Sequence, residues 1–135
     1  MTTGYSGTPL ARKLGLKPGM RVWFDGMPDT ARAEIAAEVE TLEAVGDPAK
    51  GFAAAHLFTT KHTVLERELA RLMKAMDRDG MIWVSWPKKA AKMDTDITED
   101  VIRSVALPMG LVDVKVCAVD ATWSGLKLVI RKELR

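Results

Sequence analysis

The sequence has few of the residues that carry disulfides, metal sites and redox chemistry. Its 135 residues include one cysteine, Cys117, and two histidines, His56 and His62. A single cysteine excludes an internal disulfide and is typical of a protein in a reducing compartment. The histidines and the cysteine show none of the spacings of zinc ligands, so the sequence predicts no metal site.

A strong charge of one sign and long apolar runs are also missing. The formal net charge of +2 gives no reason to expect a nucleic-acid partner, because such proteins usually carry a marked basic excess. No apolar run approaches the ~20 residues of a membrane helix. The first residues, "MTTGYSGTPLARKLGLKPG", show no apolar segment or cleavage signature of a secretion signal. We therefore expect a cytoplasmic protein without a membrane partner.

The residues that are present are sufficient for a packed core. Hydrophobic residues make up 47% of the chain and charged residues 28%, and the length is common for one domain. We expect a single domain over residues 1–135. Residues 1–9, rich in Gly, Ser and Thr, are expected to form a flexible or loosely docked arm.

Strand and helix patterns alternate along the chain. Short apolar runs predict strands at 20–26, 51–60 and 81–86, a weaker one at 41–48, and a hairpin formed by 111–119 and 126–132. Helical patterns occupy 9–14, 28–40, 63–76 and 96–110, and glycines 80 and 110 are expected to end the last two. Thr63 with Glu66, and Asp96 with Glu99, have the spacing of capping pairs.

This order predicts an α/β fold of three layers. Strands that alternate with helices form a mainly parallel sheet with helices on both faces. The apolar character of the strands fits burial on both sides. The C-terminal hairpin adds an antiparallel end to the sheet. The expected architecture is a shortened Rossmann-like domain.

Several segments resemble those of a known family. "RVWFDG" resembles the first strand and glycine turn of class I S-adenosylmethionine-dependent methyltransferases. "MKAMDRDGMIWVSW" and "GLVDVKVCAVDATWSGLKLVIRKE" resemble a later helix–strand unit and the antiparallel end of the same fold. The chain is also similar over nearly all its length to a small, uncharacterised bacterial family, from "GYSGTPLARKLGLKPG" through "WPKK" and "TEDVIR".

The resemblance implies S-adenosylmethionine as a cofactor, although the sequence departs from the family pattern. The family places several glycines after the first strand, whereas "DGMPD" has one, and Pro28 has no N–H to donate. The family binds the ribose through an acidic residue at the end of the second strand, for which Glu43 is the nearest candidate. We expect a non-catalytic or degenerate methyltransferase-like module, and the alternative is an active methyltransferase with a trimmed cofactor site.

Ligands of open parallel sheets bind outside the carboxyl ends of the strands. Three such ends converge in the predicted sheet, where lysines attract phosphate or carboxylate, a tryptophan stacks on a ring, and hydroxyl and imidazole groups form hydrogen bonds. We therefore expect a small anionic or nucleotide-type ligand. The candidate binding residues are Asp25, Gly26, Thr59, Thr60, His62, Trp86, Lys88 and Lys89.

Each candidate also has a purely structural interpretation. The two lysines could balance the acidic residues 94, 96, 99 and 100, Trp86 could cap the core, and Asp25 could serve only the turn. His62 fits an exposed position in a first helical turn, and His56 fits the interior of a strand. A protein-interaction module that pairs through a sheet edge or through Trp123 is a third hypothesis, and it leaves a homo-oligomer open.

Overall fold

The computed structural model describes residues 9–135, so the predicted arm of residues 1–9 lies, apart from Pro9, outside the described residues. The helices are α1 (Leu10–Lys13), α2 (Asp29–Glu34), α3 (Ala36–Val39), α4 (His62–Ala75) and α5 (Glu99–Met109). The strands are β1 (Arg21–Asp25), β2 (Glu43–Ala44), β3 (Phe52–Phe58), β4 (Met76–Pro87), β5 (Leu111–Ala118) and β6 (Trp123–Ile130).

The strands form one six-stranded sheet in the order β2-β1-β3-β4-β6-β5. The first four strands pair in parallel, and β6 joins β4 and β5 in antiparallel pairs. This arrangement confirms the predicted α/β fold with a mainly parallel sheet and a C-terminal hairpin.

One face of the sheet, called here the α4 face, is covered by α4 and α5. Leu65, Leu69 and Leu72 of α4 follow a helical spacing and are fully buried, because they fall on one side of the helix. They pack with Ile102 of α5, and the strands contribute Trp23, Leu57, Ile82, Val84 and Trp86 to the same cluster. This apolar cluster is the larger part of the core.

The opposite face, called here the α1 face, is covered by the short helices α1, α2 and α3. Leu10 of α1, Leu14 directly after it and Ala31 of α2 pack there with Phe58 and Trp83. The indole Nε1 of Trp83 donates a hydrogen bond to the carbonyl oxygen of Leu14 at 2.9 Å. Helices on both faces confirm the three-layer architecture.

The helix boundaries correct several predictions. The helix expected at 28–40 is broken at Ile35 into α2 and α3. Helix α4 ends at Ala75, and Gly80 lies within β4 instead of ending the helix. A register shift separates the pairs Phe52↔Met76 and Ala54↔Met81, and a Cβ at Gly80 would lie 2.8 Å from the carbonyl oxygen of Ala53. This close approach of neighbouring backbone explains the glycine.

The predicted capping pairs are wrong in detail. The described contacts of α4 include no side-chain cap from Thr63, and its first N–H, that of His62, donates to Asp96 Oδ1 at 2.7 Å. Helix α5 begins at Glu99, and Thr98 Oγ1 accepts from the N–H of Val101 at 3.2 Å. Asp96 therefore caps a helix distant in sequence, which local spacing cannot reveal. Gly110 ends α5 as predicted, in the left-handed conformation.

None of the helices within residues 9–135 has the length and hydropathy that a membrane span requires.

Candidate functional site

The parallel register aligns the carboxyl ends of β1, β3 and β4. Asp25 pairs with Leu57 of β3, and Phe58 pairs with Ser85 of β4, so the three strands end at one edge of the sheet. The eight predicted binding residues lie at these strand ends or in the segments that follow them, with Asp25 in β1, Trp86 in β4 and His62 at the start of α4. The convergence of strand ends on which the prediction depended is therefore present.

Gly26 makes the tight turn after β1. Its φ of +71° lies in the left-handed region, and a Cβ there would come within 2.8 Å of the carbonyl oxygen of Phe58. The turn thus packs directly on the end of β3, and this contact accounts for the glycine. Asp25 beside it is exposed.

Thr59 and Thr60 tie the end of β3 to its neighbours. The N–H of Thr59 donates to the carbonyl oxygen of Ser85 at 3.1 Å, and Thr59 Oγ1 accepts from the N–H of Lys61 at 3.2 Å. The carbonyl oxygen of Thr60 accepts from Thr95 Oγ1 at 2.8 Å. The hydroxyl of Thr59 thus has the role of a turn residue, whereas Thr60 takes part through its backbone carbonyl.

His62 lies at the start of α4. Its ring Nε2 is 3.6 Å from Glu66 Oε1, and the His62 side chain is half-buried while that of Glu66 is exposed. The position agrees with the structural interpretation of His62 as a residue of the first helical turn, although it is less exposed than expected.

A cleft of about 750 Å³ opens between the end of β4 and the start of α5. It is lined by Trp86, Pro87, Lys88, Lys89, Met93, Thr95, Ile97, Thr98, Glu99, Asp100 and Arg103. Three predicted residues, Trp86, Lys88 and Lys89, are therefore brought together. Thr60 lines a smaller neighbouring hollow of about 210 Å³, which shares Thr95 with the cleft. Asp25, Gly26, Thr59 and His62 lie at the same edge but line neither space.

Trp86 borders the cleft from within the core. Its side chain is 9% exposed and belongs to the apolar cluster of the α4 face, next to Ile97 and Ile102 in that cluster. The residue therefore combines the two interpretations that the sequence left open. It supports the core and presents an apolar wall to the cleft.

The two lysines carry the unpaired positive charge of the cleft. The backbone N–H of Lys88 donates to the carbonyl oxygen of Thr122 at 2.8 Å, which anchors the end of β4 to the β5–β6 connection. Among residues 9–135, neither ammonium group forms an ion pair. They form no direct pair with the acidic residues 94, 96, 99 and 100, which leaves open the interpretation of a solvated loop that balances this charge.

Arg103, which the sequence prediction missed, forms ion pairs with two of the acidic residues, Glu99 and Asp100. Its guanidinium donates to Asp113 Oδ2 at 3.0 Å, to Asp100 Oδ1 at 3.2 Å, and to Glu99 Oε2. The hydrogen bonds to Asp113 and Glu99 raise the pKa of Arg103 above its ordinary value. The spacing of Glu99 and Arg103, four residues apart on a helix, was visible in the sequence. Asp113 on β5 was not.

Glu43, the nearest candidate for the ribose contact that the resemblance implies, does not fit that role. Glu43 pairs in the sheet with Arg21, at the start of β1, so it lies away from the carboxyl edge. Its carboxylate is 3.3 Å from the guanidinium of Arg21. Gly26 is explained by its contact with Phe58, and Pro28 precedes a helix of only six residues. We derive no methyl-transfer step from this arrangement.

A buried polar pair lies on the α1 face, outside the cleft. His56 Nε2 and Ser85 Oγ are 2.7 Å apart, and both residues are buried. Burial lowers the pKa of His56 to about 3, so the imidazole is neutral at pH 7. Its Nδ1 has no hydrogen-bond partner among the described residues. The interpretation of His56 as an interior strand residue agrees with this position.

Three of the solved structures that resemble this chain in fold are methyltransferases. The magnesium protoporphyrin IX methyltransferase of Synechocystis PCC 6803 with bound SAM matches with a TM-score of 0.57 and 12% identity, over 91% of this chain and 74% of that chain. The N-methyltransferase NodS of Bradyrhizobium japonicum WM9 matches with a TM-score of 0.55 and 9% identity, over 91% and 93%. The ribosomal protein L11 methylase of Lactobacillus delbrueckii subsp. bulgaricus matches with a TM-score of 0.55 and 12% identity, over 90% and 75%.

These likenesses show a shortened methyltransferase-like, Rossmann-like fold. At 9–12% identity they show the fold alone. No protein-family model matches the chain, and no curated protein matches it. The similarity to a small bacterial family therefore stays a prediction.

Proposed function

We propose that this methyltransferase-like domain binds a small anionic, nucleotide-type ligand in the cleft between β4 and α5, and that it does not transfer methyl groups. The observation that carries the proposal is the pair of ammonium groups, Lys88 and Lys89, which form no ion pair within residues 9–135 and lie beside the apolar wall of Trp86. The volume of about 750 Å³ is within the ~300–1,000 Å³ typical of small-molecule sites.

The two walls of the cleft suggest how such a ligand would lie. A phosphate or carboxylate would approach Lys88 and Lys89, since an ammonium group is a mobile point charge for anions. A flat ring would cover the apolar surface that Trp86, Met93 and Ile97 contribute. Arg103 would not contact the anion, because three carboxylates already accept from its guanidinium.

The non-catalytic part of the proposal is supported by the position of Glu43 and by the turn after β1. Glu43 is directed away from the carboxyl edge by its ion pair with Arg21, and the turn after β1 has one glycine, Gly26, where the resemblance implies several.

Adenosine monophosphate is a suitable probe, because it joins a phosphate to a flat ring. We expect calorimetry to detect binding to the unaltered protein and at least about tenfold weaker binding to Lys88→Gln/Lys89→Gln, since hydrogen bonds to charged groups contribute ~1.5–3 kcal/mol. Lys17→Gln/Lys132→Gln removes the same charge from two exposed lysines that do not line the cleft. Equal weakening by both double variants would refute a site at Lys88 and Lys89.

The second candidate function is methyl transfer with a trimmed cofactor site. It is favoured by the fold, which the chain shares with methyltransferases, one of them with bound SAM. Calorimetry with S-adenosylmethionine and S-adenosylhomocysteine separates the candidates. We expect no heat of binding from either compound at high protein concentration. Stoichiometric binding of both would favour the second candidate over the first.

A further inference from the structure

A second hollow, of about 420 Å³, lies on the solvent side of α4, outside the β4–α5 cleft. It is lined by Ala49, Arg67, Ala70, Arg71, Lys74 and Ala75. The alanines leave a shallow apolar floor, and the three cations come from successive turns of the same side of α4. Glu68, the residue after Arg67, accepts hydrogen bonds from two of those cations.

Glu68 holds both guanidinium groups in place. This carboxylate is 7% exposed, and it accepts from Arg67 Nε at 3.2 Å and from Arg71 Nε and Nη2 at 3.2 and 2.6 Å. The guanidinium of Arg71 also lies 5.3 Å from the ring centre of Trp23. Two independent contacts thus fix Arg71, and the carboxylate orients Arg67 beside it.

The oriented guanidinium groups keep donors for a ligand. Within residues 9–135, the terminal nitrogens of Arg67 and the Nη1 of Arg71 make no hydrogen bond, and Lys74 forms no ion pair. Three cations and the single carboxylate of Glu68 leave this hollow with a net charge of +2. In the β4–α5 cleft, by contrast, the carboxylates of Glu99 and Asp100 line the wall and form ion pairs with Arg103, the one arginine in its lining.

We infer that the α4 hollow binds the phosphate group of a phosphomonoester. Such a phosphate carries a charge of about −1.5 to −2 at pH 7, which complements the net charge of the hollow. The planar guanidinium presents paired N–H groups that match phosphate oxygens, and the ammonium of Lys74 adds a third donor. The apolar part of the ligand covers the alanine floor.

Phenyl phosphate tests this site, and the experiment uses Lys88→Gln/Lys89→Gln as the parent protein so that the cleft does not contribute. We expect ³¹P NMR titration to show saturable binding of phenyl phosphate, and calorimetry to show weaker binding of benzoate, which carries one charge. Arg67→Gln/Arg71→Gln in this parent should weaken phenyl phosphate binding at least about tenfold. Arg12→Gln/Arg32→Gln, a matched change at two exposed arginines, should leave it unchanged.

Glu68→Gln separates an oriented site from general attraction by charge. The substitution raises the net charge of the hollow but removes the carboxylate that orients the two arginines, so we expect weaker phenyl phosphate binding. Stronger binding would overturn the oriented site, as would no saturable binding to the parent or equal effects of the two arginine double variants. If Glu68→Gln or Arg67→Gln/Arg71→Gln does not fold, the single variants Arg67→Gln and Lys74→Gln, both at exposed side chains, decide the same question.

Discussion

The two faces of the sheet differ in the charge of their buried polar groups. On the α4 face the buried carboxylate of Glu68 stays beside two arginines, and Arg103 is surrounded by three carboxylates, so charges are retained by pairing at the margin of the core. On the α1 face the buried polar groups are neutral: the His56–Ser85 pair and the indole N–H of Trp83. Both proposed binding sites therefore lie on the α4 face, where the paired side chains remain charged.

The physical reason is the cost of desolvating a charge. An unpaired charge in the interior shifts its pKa until it is neutral, as happens to His56 beneath the short helices α1–α3. At the edge of α4 and α5 the charged groups remain partly solvated and find partners one helical turn away. Ligand binding by charge is therefore expected on the α4 face, and a purely structural role on the α1 face.

The largest effect is expected from the two tryptophans that β4 sends to opposite faces. Trp83 is 1% exposed and its indole N–H anchors α1, so Trp83→Ala should lower the free energy of unfolding by about 3–5 kcal/mol. Trp86→Ala should cost less, because Trp86 borders solvent in the cleft. Urea unfolding of both variants measures the difference. Equal losses would show that Trp86 is as much a core residue as Trp83.

An intermediate effect is expected from acid, through His56 on the α1 face. Its pKa is about 3 in the folded protein, against an ordinary value of 6.5 for an unfolded chain, so the unfolded state binds the proton first. The stability from neutral His56 is complete above pH 6.5 and is lost as pH falls toward 3, with a limiting slope of about 1.4 kcal/mol per pH unit.

Urea unfolding at a series of pH values isolates this contribution. His56→Gln should flatten the slope between pH 6.5 and 4, because it removes the buried imidazole. An unaltered slope in His56→Gln would show that the buried imidazole does not cause the acid sensitivity.

The smallest effect concerns the caps that close the α4 face. Asp96→Ala removes the acceptor for the first N–H of α4 and should cost about 1 kcal/mol, as should Thr98→Ala at α5. Thr63→Ala, at the position that local spacing favoured, should change stability by less than about 0.5 kcal/mol. A larger loss of stability in Thr63→Ala than in Asp96→Ala would support the local capping pair of Thr63 and Glu66.

Much of the fold was predictable from the chain, because strand and helix patterns depend on local periodicity. The burial of β3 and β4, the helical spacing of Leu65, Leu69 and Leu72, and the Gly110 stop were confirmed. Burial on both sides was wrong for β2, which is exposed, and for β5, whose central residues are exposed. The boundaries at Ile35 and Ala75 were not predictable, since the α2–α3 break and the α4–β4 junction depend on contacts with distant segments.

The candidate site was predictable in part. Trp86, Lys88 and Lys89 were found because the end of a parallel strand has a known position in a sheet. Asp25 and Gly26 were placed at the correct edge but outside the cleft, since a strand end does not determine which loop forms a wall. Arg103 was missed because its third partner, Asp113, comes from another strand.

The sequence alone determined the order of strands and helices, their apolar faces and the positive charge that follows β4. These features arise from neighbours a few residues apart, whose periodicity is set by backbone geometry. Only the tertiary structure decided which charges remain unpaired. Arg103 forms hydrogen bonds with three carboxylates, whereas Lys88 and Lys89 form no ion pair with any described residue. Glu68 orients two arginines, of which Arg71 lies over the ring of Trp23. Partner choice depends on distances between groups far apart in the chain, and packing sets those distances.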